Sequence, residues 1–77
     1  MTDIEKLRAL LPHWIEHNQE HGAELLRWAD KATSAGHEKA AELIQTAVQA
    51  MDQANAQLEE ALDKLGGPIH TEHSHTH

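Results

Sequence analysis

The sequence predicts an all-α protein: an antiparallel two-helix hairpin that dimerises into a four-helix bundle and carries a flexible His-rich C-terminal tail. Three observations predict it. Apolar residues recur at three- and four-residue spacing along most of the chain, a single turn signal interrupts them, and eight His occur among 77 residues. We place the hairpin domain at residues 1–67 and the tail at residues 68–77.

The first helix begins with a capping-box pattern, Thr2 followed by Glu5. Pro12 lies inside this helix, and because proline has no amide hydrogen we expect a kink or a short break near Leu11. The predicted core seam keeps its three- and four-residue spacing across Pro12. Its members are Ile4, Leu7, Leu11, Trp14, Asn18, His21, Leu25, Trp28 and Ala32.

A turn at residues 33–36 leads to the second helix, with Gly36 suited to a positive φ and either Ser34 or Gly36 suited to the cap. Gly66-Gly67-Pro68 ends that helix. Because the turn is short, the helices run antiparallel, and residue numbers in facing positions sum to 69. We interpret Asn18 and Asn55 as polar layers that set the register. The second seam is His37, Ala41, Ile44, Val48, Met51, Asn55, Leu58, Leu62 and Leu65.

Two stripes of small residues predict dimerisation. A lone hairpin buries only one stripe per helix and is marginal in water. Small residues at heptad spacing let helices approach closely, so we expect two hairpins to dock as a homodimer. The stripes are Ala40, Ala47, Ala54 and Ala61 on the second helix, and Ile15, Gly22 and Ala29 on the first.

Composition excludes several classes of function. The absence of Cys rules out disulfide scaffolds, iron-sulfur clusters and thiolate zinc sites. A net charge of −7 has the wrong sign for nucleic acid or an anionic membrane and favours cationic partners. No apolar run approaches the roughly 20 residues of a membrane span. We expect a soluble, cytoplasmic chain.

Three His on the first helix are the main candidate ligands. His13, His17 and His21 recur every four residues, which places consecutive imidazoles one helical turn apart, and two at that spacing can chelate one divalent ion. A carboxylate follows each His three residues later. We take Glu20 and Glu24 as oxygen ligands or as hydrogen-bond acceptors that orient an imidazole, and Glu16 completes the pattern.

The tail carries four further candidate ligands, His70, His73, His75 and His77. They are interleaved with Thr, Glu and Ser, which is typical of a native metal-gathering segment and not of a contiguous tag. Six extended residues span roughly 20 Å, enough to bring His73 back to His13 or His17. His37 stands apart, and we interpret it as structural.

The sequence matches known enzyme motifs only in part. His13 to His17 and His17 to His21 match the H-x-x-E-H pattern of inverted zinc peptidases, but such enzymes need a cleft and a third ligand from a larger fold. The di-iron bundle motif has the reverse order on two helices. Haem remains open, although C-x-x-C-H is absent and few large residues could line a porphyrin pocket. We expect a non-enzyme.

The types of ligand limit which metal ions the site can bind. Imidazole with carboxylate and no thiolate suits Ni(II), Co(II), Zn(II) or Cu(II), and disfavours Cu(I), Ca(II) and Mg(II). No Lys or Arg lies between Arg8 and Arg27 or within residues 43–60, which leaves the middle of the hairpin free of competing positive charge.

Part of the sequence resembles a known family, and the resemblance bears on the choice of metal. The run Leu11-Pro12-His13-Trp14-Ile15-Glu16-His17-Asn18-Gln19-Glu20-His21, with Trp28-Ala29 and an acidic Ala/Leu-rich second helix, resembles a family of small uncharacterised prokaryotic His-rich helical-hairpin proteins associated with nickel and cobalt handling. The resemblance covers roughly residues 7–65. It implies that His13, His17 and His21 are functional positions and that the metal is nickel or cobalt.

The sequence therefore predicts a nickel- or cobalt-binding protein for storage, buffering or delivery. His17 and His21 form the chelating pair, and His13 and tail His complete the shell. Expected partners are the metal ion, a second copy of the chain and a metal-recipient protein, with no nucleic acid and no membrane. The alternative is a structural or interaction module, a dimeric helical bundle without a physiological metal.

Overall fold

A computed structural model describes residues 2–69 as two helices, α1 (Asp3–Ser34) and α2 (Glu38–Lys64), packed side by side and antiparallel. This part of the chain contains no strand, so the predicted helical hairpin is confirmed. The Cα atoms extend 51 × 26 × 14 Å, which is one layer of two helices with both broad faces open. Within residues 2–69 neither helix combines the length and hydropathy that crossing a membrane requires.

The helix ends follow from local chemistry. The capping box at Thr2 forms as predicted: its backbone N–H donates to Glu5 Oε1 at 2.9 Å, and its Oγ1 accepts from the Glu5 N–H at 3.1 Å. In the turn, Gly36 adopts φ 90°. The expectation that Ser34 or Gly36 caps α2 is wrong. Ser34 still belongs to α1, and the N-cap is His37, whose side chain makes no capping hydrogen bond.

The face that α2 turns toward α1 is the predicted one. Its fully buried members are Ala41, Val48, Asn55 and Leu62. The seam residues between them, Ile44, Met51 and Leu58, are half-buried. Burial therefore repeats every seven residues along α2, as expected for a helix packed lengthwise on one partner.

The face that α1 turns toward α2 differs from the prediction. Trp14, His21 and Trp28 were expected in the seam, but all three are exposed, Trp14 by 46% and Trp28 by 56% of their surface. The buried residues of α1 are instead Leu11, Ile15, Gly22 and Ala29. The stripe Ile15, Gly22 and Ala29, predicted to meet a second copy, thus packs on α2 of the same chain.

Small side chains explain this rotation of α1. A Cβ atom added at Gly22 would lie 3.5 Å from Val48 Cγ1, an ordinary van der Waals contact, so the space between Gly22 and α2 accommodates a methyl group but no larger side chain without movement. A Trp or His at the same place would hold the two helices apart. Turning Gly22 and Ala29 inward shortens the distance between the helix axes and lets Leu11 and Ile15 bury their side chains.

One polar layer fixes the register. Asn18 Nδ2 donates to Asn55 Oδ1 at 2.9 Å, and Asn55 Nδ2 donates to the Ile15 carbonyl at 3.4 Å. The two Asn were predicted as polar layers, and here they share one hydrogen-bonded layer. Gly22 with Val48 and Ile15 with Asn55 give facing residue numbers that sum to 70, one more than the predicted 69, and the bond from Asn18 to Asn55 runs diagonally between the helices.

Pro12 shapes the open end of the hairpin. The predicted short break is absent, because α1 continues through Pro12 as one helix. Pro12 has no N–H to donate to the Arg8 carbonyl, and the backbone N–H of Ile69 donates to that carbonyl at 3.4 Å. The Arg8 guanidinium donates to the carbonyls of Gly67 and Gly66, at 2.7 and 3.0 Å.

These contacts correct part of the tail prediction. Residues 68–77 were assigned to a tail that is flexible unless something ties it down, and Ile69 is tied to α1 by its bond to Arg8 and is half-buried, whereas Pro68 is exposed. The rest of that prediction, which concerns residues 70–77, lies outside the described residues. The point where the chain leaves the hairpin is therefore beside Pro12, one residue before His13.

Helix rotation can be tested at Gly22. Gly22→Ala should be neutral or should raise the free energy of unfolding by up to about 1 kcal/mol, since the added methyl makes ordinary contact and alanine favours helix. Gly22→Leu should lower it by about 1–3 kcal/mol because the side chain must wedge against Val48. Urea unfolding followed by circular dichroism measures both. Equal tolerance of Ala and Leu would mean that Gly22 does not face α2.

Candidate metal site

The three predicted helical ligands lie on one side of α1. His13, His17 and His21 are all exposed and border the same shallow depression on the surface. One residue from α2 reaches that depression. Its lining is His13, Trp14, His17, Asn18, His21 and Leu58.

His17 and His21 are the closest pair. Their ring centroids are 6.1 Å apart and the ring planes are inclined by 48°. A metal ion sits about 2.1 Å from each ligating nitrogen, so two rings that share one ion in adjacent coordination positions lie somewhat nearer than this. Rotation about the side-chain bonds brings them there, and neither ring is held back by a hydrogen bond within the described residues. The pair can act as a bidentate chelate.

His21 lies outside the predicted core seam, and this makes its imidazole available to a metal ion. It was expected in the core seam opposite Val48, where an imidazole would need a satisfied polar environment. Gly22 occupies that place, and His21 is exposed. An exposed ring can turn toward an ion without leaving a cavity or a buried polar atom behind it.

The carboxylates stand nearby without contacting the rings. Helical spacing puts Glu20 one turn beyond His17 and Glu24 one turn beyond His21. Over residues 2–69 the single ion pair is Lys39 with Glu42 at 3.6 Å, so neither Glu20 nor Glu24 is engaged by a cation. Both remain available to accept a hydrogen bond or to ligate.

The described residues alone do not form a complete coordination shell. Among residues 2–69 no three His, Asp or Glu side chains converge in the arrangement of a metal site. The structure thus brings two imidazoles together and leaves His13 one further turn away. A third protein ligand would have to come from a rearranged side chain, from the segment after Ile69, or from another chain.

One carboxylate of the HxxE pattern does not lie beside the imidazoles. Glu16 belongs to the HxxE pattern, yet it borders a different depression on the opposite side of the hairpin, together with Glu59 from α2. Pro12 and Pro68 line the same depression, so this is the side where the chain exits. The negative charge near His17 and His21 therefore comes chiefly from Glu20 and Glu24.

Cations stay away from the imidazoles. Arg8 is occupied by the Gly66 and Gly67 carbonyls, and the Lys31 ammonium lies 5.5 Å from the ring centroid of Trp28. No Lys or Arg occurs between Arg8 and Arg27. The absence of a competing positive charge at this height of α1, inferred from the sequence, agrees with these positions.

Three residues that line the depression were not predicted as part of the site: Trp14, Asn18 and Leu58. Trp14 and Leu58 were placed in the core seams, and Asn18 was interpreted as a polar layer. The sequence did contain one indication. Trp14 and His21 are seven residues apart, so a rotation of α1 that exposes one of them also exposes the other.

The remaining predicted ligands are separate. His37 lies at the opposite end of the hairpin as the N-cap of α2, where its backbone N–H donates to the Ala32 carbonyl at 2.8 Å. This agrees with a structural interpretation. His70, His73, His75 and His77 lie outside the described residues, although the anchored Ile69 immediately precedes the first of them.

Comparison with known proteins gives one match. The model of a protein family described as a domain of unknown function (DUF8180) matches residues 7–65, which include His13, His17 and His21 and nearly all of both helices. No curated protein and no solved structure matches the chain.

Proposed function

The chain belongs to the DUF8180 family, and we propose that it binds a divalent transition-metal ion through His17 and His21. The observation that carries this proposal is the pair of exposed imidazoles one turn apart on a continuous helix, with ring centroids 6.1 Å apart and with no hydrogen bond from either ring to another residue of 2–69. The role is storage, buffering or delivery of the ion and not catalysis.

Rigidity makes this pair a better chelate than the same residues in a coil. Both His lie in the middle of α1, which is held along its length by α2, so little backbone entropy is lost when they ligate. His13 lies one turn toward the N-terminus and extends the row of imidazoles. Glu20 and Glu24 supply oxygen ligands or orient the rings.

The C-terminal segment supplies the closing ligands in this proposal. Arg8 and Ile69 hold the segment from Gly67 to Ile69 against α1 near Pro12, on the side of the hairpin away from the His depression. In this proposal the segment that begins at His70 passes around α1 and brings His70 and His73 to His13, with His75 and His77 as collectors. The sequence predicts that this segment is flexible, and fixing a flexible residue costs roughly 1–2 kcal/mol, so these His should be weaker ligands by themselves.

Ligand chemistry limits the choice of ion. Imidazole and carboxylate without thiolate favour Ni(II), Co(II), Zn(II) and Cu(II). Intrinsic affinity would place Cu(II) first, and the resemblance of the His-Trp-Ile-Glu-His-Asn run to nickel- and cobalt-associated hairpin proteins favours Ni(II) or Co(II). Delivery would further require a recipient protein, and the functional form in this proposal is a homodimer.

A second function is favoured by a different observation. Trp14 and Trp28 expose about half of their surface on one side of the hairpin, and two such large exposed aromatic residues on one face are unusual for a monomeric protein. A structural or interaction module, dimerising through this side with its His merely solvated, would account for those exposures without a metal. Retention of stoichiometric metal by untagged purified protein separates the two functions.

Metal binding should depend on pH. Calorimetric titration with Ni(II) or Co(II) at about pH 7.5 should show a low-micromolar or tighter dissociation constant, and at about pH 5.5 binding should be lost. Imidazole ligates only when neutral, its ordinary pKa is about 6.5, and protons therefore compete more strongly as pH falls. Equal heats at both pH values, or none at either, would exclude a His-based site.

The helical pair and the tail should contribute unequally. The double change His17→Ala, His21→Ala should abolish the tightest site, whereas truncation after Gly67 should lower stoichiometry or weaken affinity modestly. Replacing His70, His73, His75 and His77 by Gln should match the truncation while keeping the bond from Ile69 to Arg8. His37→Ala, at the other end of the hairpin, is the matched control and should change nothing.

The opposite pattern would assign the site to the tail. If truncation or the Gln replacements remove all binding and the double change leaves it intact, the hairpin only carries the tail. Circular dichroism of the metal-free His17→Ala, His21→Ala variant should show that folding is retained, because both side chains are exposed.

A further inference from the structure

One broad face of the hairpin is built from a ridge and a groove. The ridge, on α1, consists of Leu7, Trp14, His21 and Trp28 at seven-residue spacing. The groove, on α2, consists of the exposed Ala40, Ala47, Ala54 and Ala61 at the same spacing. Both lie on the same side of the molecule, because Trp14 and His21 share a depression with Leu58, which is one turn from Ala54 and from Ala61.

The ridge, the groove and the residues between them include no Asp, Glu, Lys or Arg, but the Lys31 ammonium lies 5.5 Å from the ring centroid of Trp28 and brings a positive charge to one end of this face. Between ridge and groove lie the half-buried, uncharged Asn18, Leu25, Met51 and Leu58. The charged residues of the two helices from Ile4 to Leu65 occupy other helical positions, including the opposite face with Glu16 and Glu59. Leu10 and Leu43 extend the apolar surface at its margins, exposed by 43% and 63%.

The register places large residues at heights between the small ones. Gly22 lies beside Val48 and Ile15 beside Asn55, so facing residue numbers sum to 70 along the hairpin. By this register Trp14 lies at a height between Ala54 and Ala61, His21 between Ala47 and Ala54, and Trp28 between Ala40 and Ala47. Knobs and holes of this kind fit together when the ridge of one hairpin faces the groove of another.

We propose that a second copy of this chain covers the face, with α1 of each hairpin seated in the alanine groove of the other. A two-fold axis parallel to the helices brings α1 over the partner's α2, keeps every residue at its height, and uses one patch twice. Trp14 then inserts between the partner's Ala54 and the partner's Ala61. The arrangement replaces the predicted use of Ile15, Gly22 and Ala29, which the hairpin buries internally.

The exposed apolar area of this face is somewhat below that of a standard interface. The two Trp, Leu10, Leu43, the four Ala and the half-buried residues between them expose on the order of 600 Å² of apolar surface, against roughly 800 Å² per partner. A second copy would also add a second layer of helices to a molecule that is 14 Å thick over its Cα atoms, and a core normally needs two layers. The complementary shapes of ridge and groove, which contain no charged residue of their own, favour a second copy over an unrelated partner.

The interface proposal shares His21 with the proposed metal site, and it is therefore tested without metal. Sedimentation equilibrium in the presence of a chelator should give twice the 8.6 kDa chain mass for the wild type. Ala47→Glu with Ala54→Glu should yield a single chain or a less helical species. Gln49→Glu with Ala56→Glu adds the same charge at the same spacing on the opposite flank of α2, and this control should remain dimeric.

Cross-linking tests the arrangement within the dimer. The described residues contain no Cys, and the sequence has none elsewhere. An equimolar mixture of His21→Cys and Ala54→Cys chains should form an interchain disulfide, whereas neither variant should cross-link with itself, since like helices lie diagonally across the bundle. A monomeric wild type, or equal effects of the two Glu pairs, would overturn the interface. Self-cross-linking without cross-linking in the mixture would overturn the pairing of α1 with α2.

Discussion

The close approach of α1 to α2 at Gly22 is the contact on which the rest of the molecule depends. It leaves no room for a large side chain at that height, and the neighbouring hydrogen bond between Asn18 and Asn55 fixes how far one helix can slide along the other. Because Asn55 is 5% exposed and bonded on both sides, any other register would leave a buried amide without partners. Rotation and register of α1 are thereby set together.

This one constraint decides what the surface can do. With Gly22 inside, His21 and Trp14 must be outside, and the row of imidazoles from His13 to His21 becomes accessible to an ion. The same rotation aligns the aromatic ridge beside the alanine groove. His21 belongs to both features, so the proposed metal site lies at the edge of the proposed dimer interface. At the open end, Pro12 frees the Arg8 carbonyl that Ile69 then uses, which ties the exit of the His-bearing segment to the same helix.

The sequence was sufficient for most of the local and periodic features, although the cap of α2 and the break near Leu11 were predicted wrongly. The capping box at Thr2, the end of α2 near Gly66, the antiparallel hairpin and the buried face of α2 are all local or periodic features, and they were predicted. The spacing of His13, His17 and His21 was likewise readable.

What the sequence could not decide was a choice between two seams on α1 that are offset by one residue. One passes through Trp14, His21 and Trp28, the other through Ile15, Gly22 and Ala29. Hydropathy favours the large aromatic residues for the core, but the distance between the helix axes favours the small ones, and that distance is a property of the pair. Leu58 beside the His and the contacts of Arg8 with Gly66 and Gly67 were out of reach for the same reason, since they join residues distant in sequence.

Disulfide formation within the hairpin tests the rotation of α1 most directly, because a disulfide requires Cβ atoms roughly 3.5–4.5 Å apart. In a chain without Cys, Gly22→Cys with Val48→Cys should oxidise to an intrachain bond, detected by loss of free thiol in the single-chain species. His21→Cys with Val48→Cys, which the seam through Trp14 and Trp28 would bring together, should stay reduced. An intrachain bond in the second variant and none in the first would show that His21 faces α2, and would contradict both the exposed imidazole pair and the aromatic ridge.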